Sequence, residues 1–260
     1  MTNIPPASRR GPAKARSTNL LVPAIALVAA LGLALAAFAG GGDEPTTAPD
    51  DAPTGEVASP STAPAADDRD AQLTELLSQL ERRQAGDPLA IGEPDAPVLM
   101  IEWADFQCPF CGSFARDTKP ELLARYVEDG TLRIEWRDLP MLGPESQTAA
   151  LAGRAAAEQD AFWAFHDAVF ADERPVNSGE LEPDRLLALA GDLGLDVERF
   201  EADLDDPAAA EAIRADREWA QSLGITGTPA FLINGQLLIG GQPTEVFAQA
   251  IEQMAAEAAG

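Results

Sequence analysis

Histidine and tyrosine occur once each in these 260 residues, cysteine twice, and lysine only at Lys14 and Lys119. Two cysteines exclude a framework of several disulfides. With His166 as the lone histidine, an internal structural zinc site, which takes four protein ligands, is not expected. Basic residues are scarce as well: 18 Lys and Arg against 43 Asp and Glu. All 43 acids lie after residue 40 together with 14 of the basic residues, so that part carries a formal charge of −29. Such a surface argues against nucleic acid and against broad docking on anionic lipid. No internal repeat is visible.

Acid is missing altogether from residues 1–19, which hold Arg9, Arg10, Lys14 and Arg16. Residues 20–39 then form an uncharged apolar run long enough to cross a bilayer as a helix. Pro23 falls in its first turn, where proline costs little. The basic flank should stay cytoplasmic and send the rest of the chain outside as a single-pass membrane protein. Ala37-Phe38-Ala39 offers the competing reading, a cleaved signal peptide. Both readings deliver the cysteines to the oxidising side of the membrane. Residues 40–67 are rich in Pro, Ala, Thr, Gly and Asp and read as a disordered, partly stiff linker. An amphipathic helix is expected over 68–86, with Leu73, Leu76, Leu77 and Leu80 as a stripe that docks on the domain behind it. The remainder, 88–260, has the size of one ordinary domain.

The two cysteines form Cys108-Pro109-Phe110-Cys111. The run before them, Pro97 to Trp103, reads as a buried strand, and the run after them, to about Val127, reads as a helix. A C-x-x-C at that junction puts both sulfurs at a helix N-terminus, on one face and close enough to bridge. Unpaired N–H groups and the positive dipole end favour the thiolate. A low-pKa thiol is a good nucleophile and a good leaving group, so the chemistry implied is thiol–disulfide exchange. Half of a zinc site and an inert structural disulfide are the competing readings; the latter would close a very short loop and restrict the unfolded chain little.

Further along, Leu132 to Trp136 alternates as a strand ended by Arg137-Asp138-Leu139-Pro140. Helical patterns follow over 146–159, 161–171, 181–193, 196–204 and 207–223, punctuated by glycine and proline. Pro229 to Ile233 and Gln236 to Ile239 flank Asn234-Gly235, a two-residue hairpin signal. Thr244 to Ala256 closes the chain as an amphipathic helix.

The stretch Ile101-Glu102-Trp103-Ala104-Asp105-Phe106-Gln107 leading into the cysteines, Arg137-Asp138-Leu139-Pro140, Phe162-Trp163-Ala164-Phe165-His166-Asp167, and Gly224-Ile225-Thr226-Gly227-Thr228-Pro229 running on to Gly235 together resemble the DsbA-like members of the thioredoxin superfamily. The resemblance implies an α/β thioredoxin-like fold with a DsbA-type helical insertion, here about 145–223. It implies a protein disulfide oxidoreductase acting on unfolded or reduced exported proteins. Cys108 would be the exposed nucleophile and Cys111 its buried partner. Thr228-Pro229 matches the cis-proline dipeptide that pairs with an extended substrate, beside Pro109 and Phe110. Glu102 matches a buried acid that relays the proton of the buried cysteine. A membrane reoxidase of the DsbB or vitamin K epoxide reductase type is the implied partner, and no bound cofactor is required beyond the cysteine pair. One departure matters: strongly oxidising relatives often carry histidine where this chain has Phe110, so a less oxidising potential is expected. A reductase or isomerase, and a tethered binding module with an idle disulfide, are the alternatives. His166 lies outside the cysteine motif and reads as a packed or surface histidine.

Overall fold

The computed structural model describes residue 75 and residues 77–259. At its centre lies β2 (Val98–Ala104), seven residues buried on both faces and apolar except for Glu102. It pairs in parallel with β3 (Leu132–Asp138) and antiparallel with β4 (Ala230–Ile233). β5 (Gln236–Ile239) and the two-residue β1 (Ala90–Ile91) complete a five-stranded sheet in the order β1-β3-β2-β4-β5. Asn234 and Gly235 turn the β4–β5 hairpin, both at positive φ (42° and 92°), as an Asn-Gly turn requires.

A parallel pair needs a crossover, and α1 supplies it between β2 and β3. α1 runs as α-helix over Pro109–Ser113, π-helix over Phe114–Thr118, α-helix over Lys119–Leu122 and π-helix again over Leu123–Val127. Pro120 has no N–H to give the preceding turn, and the wider π-turn ahead of it absorbs the lost bond. Phe114 of α1 packs on Phe231 of β4 and on Phe247 of the closing helix at ring distances of 4.5 and 5.2 Å.

Five helices separate β3 from β4: α2 (Pro144–Ala157), α3 (Phe162–Phe170), α4 (Pro183–Asp192), α5 (Val197–Asp203) and α6 (Pro207–Ser222). α7 (Thr244–Ala258) closes the chain. Small residues let α2 approach closely: a Cβ at Gly153 would stand 3.0 Å from the ring of Phe106. Phe106, two residues before Cys108, sits among Trp136, Phe165 and Phe170 at 5.0 to 5.8 Å. The loop that carries the cysteines is thereby held in the aromatic seam between sheet and insertion.

Alternating Arg133, Glu135 and Arg137 on β3 would ordinarily mark a solvent face, yet all three are buried. The segment before β1 covers them. The backbone N–H groups of Arg82 and Arg83 donate to the two Glu135 carboxylate oxygens at 3.0 and 2.8 Å, and Arg137 donates to the Leu80 carbonyl at 2.5 Å. Next to this seam, Arg154 of α2 bridges Asp138 at 2.6 Å and Asp216 of α6 at 2.5 Å.

Helices and strands follow the expected order, and the thioredoxin-like α/β architecture with its helical insertion is present. Two details differ. β1 was not anticipated, because two residues carry no periodicity. Of the helix expected over 68–86, residues 75 and 77–80 are helical and 68–74 and 76 lie outside the described residues; beyond Leu80 Glu135 draws the backbone away and Arg83 takes a φ of 39°. The span expected over 20–39 and the linker over 40–67 lie outside the described residues. Among those described, no helix is long and apolar enough to cross a membrane.

Candidate active site

Asp105 and Gln107 set the loop that presents the cysteines. One Asp105 carboxylate oxygen accepts from the N–H of Gln107 at 2.8 Å; the other accepts from Met141 and Leu142 at 2.8 and 3.0 Å. Gln107 donates to Ser146 Oγ at 2.9 Å and accepts from the Asn177 N–H at 2.6 Å. Cys108 then takes the N-cap position of α1 (φ −74°, ψ 120°), with Pro109 inside the first turn, where no N–H is missed.

Both thiols are free. Against the expectation of an exposed Cys108, its exposure is 5 %, only slightly above the 1 % of Cys111. The cause is the loop before β4: the Cys108 thiol lies 3.3 Å from the Thr228 carbonyl oxygen, across the cis Thr228-Pro229 bond. The sulfur still opens on a cleft of about 470 Å³ lined by Phe106, Phe110, Arg116, Phe170 and Arg174 among others. Phe110 stands out from it, 64 % exposed.

Electrostatics divides the two thiols. The pKa of Cys108 is lowered to about 6, first by the hydrogen bond from the Cys111 side chain; burial works against this, while the Thr228 side chain and the N–H groups of Cys111 and Phe110 add to it. Cys111 is raised well above the ordinary thiol value, first by burial and then by giving its hydrogen bond to Cys108. One sulfur is set up as thiolate at neutral pH and the other as thiol.

Behind Cys111 sits Glu102, in cross-strand register with Trp136 and Phe231. Its carboxyl is raised to about 8 by burial, against the pull of the Lys119 charge, and its Oε2 has no hydrogen-bond partner. A buried carboxyl in that position is neutral at pH 7 and can exchange a proton with the neighbouring thiol. Lys119 is itself buried; its Nζ lies 2.5 Å from Asp167 Oδ1, 3.0 Å from His166 Nδ1 and 4.7 Å from the centre of the Trp163 ring. His166 is packed, as expected, and fully enclosed. Nothing in the pattern around His166 announces its contact with a buried lysine, or that Asp167 pairs with that lysine. The available signal was the scarcity of lysine itself: a residue used twice in 260, beside 16 arginines, once falls inside the active-site helix.

The structure thus brings Cys108, Cys111, Pro109, Phe110, Thr228 and Pro229 to one end of the sheet, with Glu102 beneath them. Comparison with known proteins supplies the family. The family described as thioredoxin matches residues 84–253. Probable disulfide bond formation protein D of Bacillus anthracis is 31 % identical over 152 residues, 57 % of this chain and 70 % of that protein. A Na(+)/H(+) antiporter, NhaA 3 of Salinispora tropica, is 42 % identical over 147 residues, 56 % of this chain but only 21 % of the antiporter's own length. Among solved structures, oxidised BdbD from Bacillus subtilis superposes with a TM-score of 0.61 at 25 % identity, covering 66 % of this chain and 94 % of that one. Wolbachia pipientis alpha-DsbA1 gives 0.60 at 26 %, covering 65 % and 92 %.

Proposed function

This chain belongs to the thioredoxin family as a DsbA-like member, and on that footing we propose that it is an extracytoplasmic thiol–disulfide oxidoreductase that forms or exchanges disulfides in exported proteins. The unequal character of Cys108 and Cys111 carries this reading. In the oxidising direction a substrate thiolate attacks Cys108 Sγ of the Cys108–Cys111 disulfide. A substrate–Cys108 bond forms and the Cys108–Cys111 bond breaks. Its electron pair stays on Cys111 Sγ, which Glu102 protonates. A second substrate thiolate then attacks the substrate sulfur of the mixed disulfide. Cys108 departs as a thiolate, a good leaving group because its pKa of about 6 lies below neutrality. The substrate has lost two electrons, and the protein holds them as two reduced cysteines.

Substrate entry fits the same geometry. The Thr228 backbone beside Cys108 supports strand-like pairing with an extended chain, and the exposed Phe110 ring supports contact with its apolar side chains. Residues 20–39 would hold the domain at the outer face of the membrane, where a quinone-linked partner of the DsbB or vitamin K epoxide reductase type would reoxidise it.

The test is oxidation of a reduced, unfolded two-cysteine protein by the full-length oxidised chain. Stoichiometric disulfide transfer is expected, and none with Cys108→Ser. Binding that survives in Cys108→Ser while the parent transfers no disulfide would identify a tethered binding module instead. The Phe110 side chain offers the thiolate no hydrogen bond, which favours the reductase or isomerase direction as the second reading. Equilibration with a glutathione series decides between the two.

A further inference from the structure

Three polar atoms meet between α1 and α3 in a triangle with sides of 3.0, 2.5 and 2.8 Å: Lys119 Nζ to His166 Nδ1, Lys119 Nζ to Asp167 Oδ1, and His166 Nδ1 to Asp167 Oδ1. Lys119 enters from α1, immediately after its first π-turn; His166 and Asp167 enter from α3 of the helical insertion. An enclosed ammonium needs ionic and hydrogen-bonding partners. Those identified for Lys119, including the Trp163 ring, all come from α3.

A single nitrogen cannot both donate to Asp167 and accept from Lys119. His166 Nε2 is buried with no partner. A bare acceptor there is cheaper than an unpaired N–H, so the proton sits on Nδ1 and points at Asp167. Asp167 then serves both neighbours, and its carboxylate is the anchor of the ammonium. Its side chain is 62 % exposed, so the anchor stands at the edge of the solvent.

In-register neighbours share a face of the sheet, so Trp136, Glu102 and Phe231 point the same way. That face is covered by α1, whose Phe114 packs on Phe231 at 4.5 Å, and by α3, whose His166 packs edge-on against Trp136 at 5.2 Å. The Lys119 triangle joins these two helices, and its ammonium pulls on the carboxyl of Glu102. The groups around that carboxyl are few. Its cross-strand neighbours Trp136 and Phe231 carry no charge. Cys111 and Lys119 belong to α1, which covers the same face, and His166 and Asp167 contact Lys119 from α3. We propose that His166 and Asp167 are positioning residues that hold the Lys119 ammonium at Glu102, so that the helical insertion sets how readily Glu102 gives its proton to the departing Cys111 thiolate. This rests on the exchange reaction proposed above, in which Glu102 becomes a carboxylate as the Cys108–Cys111 bond breaks. The ammonium stabilises that carboxylate only while α3 keeps it in place. Without the anchor it follows the opening at Asp167 out to water.

The experiment follows the Glu102 carboxyl directly. Infrared difference spectra of the reduced full-length protein are taken across pH, with the Glu102 band identified by its loss in Glu102→Gln. Lys119→Met is expected to raise the titration midpoint by about one pH unit, the loss of one nearby opposite charge. Asp167→Asn is expected to raise it as well, and to add nothing in the Lys119→Met background. An unmoved midpoint in Lys119→Met overturns the proposal, as do additive shifts in the double variant. So does a downward shift in Asp167→Asn, since the field of Asp167 acting on Glu102 without Lys119 would have that sign. The sign of the Asp167→Asn shift decides alone if Lys119→Met fails to fold. The titration is read without turnover: a protein that shows these shifts but exchanges no disulfide fails the functional reading and leaves the coupling standing.

Discussion

The thiol of Cys108 and the carbonyl oxygen of Thr228 lie 3.3 Å apart, although 120 positions separate them in the chain. This contact closes the loop before β4 over the N-terminus of α1. It explains how a cysteine that must react can be 5 % exposed: the covering group is the backbone edge that a substrate strand would pair with.

Alkylation of the reduced protein across pH should label Cys108 with a midpoint near 6 and leave Cys111 unlabelled at neutral pH. Removing the main donor with Cys111→Ala should move the Cys108 midpoint up toward the free-thiol value of about 8.5. Equal labelling of both cysteines in the parent would contradict the division of roles.

Glu102 should cost the protein stability at neutral pH. Its folded pKa of about 8 lies above the ordinary 4.5, so its favourable contribution is complete below pH 4.5 and is lost progressively up to about 8. At 1.36 kcal/mol per pH unit, Glu102→Gln should gain about 3 kcal/mol at pH 7 and nothing at pH 4. Urea unfolding of the reduced forms at the two pH values measures this. A gain of equal size at both would mean that hydrogen bonding, not ionisation, sets the difference.

Arg154→Met should destabilise the domain by about 3 kcal/mol, because it leaves Asp138 enclosed without its ion partner and beside Asp216, which keeps Arg137 at 3.3 Å. Burial already raises Asp216 to about 7 with Arg154 present. The loss should therefore shrink in acid, where Asp216 is protonated, and a denaturation series from pH 5 to 8 would reveal that slope.

Phe110→His should make the protein more oxidising. An imidazole at the first turn of α1 can donate to the Cys108 thiolate and favour the reduced state. A new bond worth about 1.4 kcal/mol corresponds to about 30 mV for this couple. A potential equal to the parent's in the glutathione equilibrium would place residue 110 out of reach of the sulfur.

Local pattern made much of this legible. The apolar run of β2, the Asn234-Gly235 turn and the proline-led starts of α2, α4 and α6 each state their element within a few residues. So does the cysteine motif. What escaped depends on contacts across elements. Arg133, Glu135 and Arg137 alternate like a wet face; only the chain folded back from residues 80–91 makes them interior. His166 is a lone polar residue in an aromatic helix, and nothing within its own helix says that Lys119, 47 positions earlier, stands against it. The same holds for Glu102, whose burial was expected but whose one cationic neighbour lies on another element.

Glu135 has a consequence for where the folding unit starts. The family match begins at residue 84, but the two N–H groups that this carboxylate accepts belong to Arg82 and Arg83, and Leu80 fills a hollow beside Trp103, Leu139 and Ile225. A chain trimmed to the family boundary would lose that apolar plug and leave the carboxylate facing Arg133 and Arg137 with two of its acceptor positions vacant. The natural cut lies upstream of Leu77, which reaches Gly235 in the hairpin turn, so the stretch ahead of the family boundary is already masonry of the sheet.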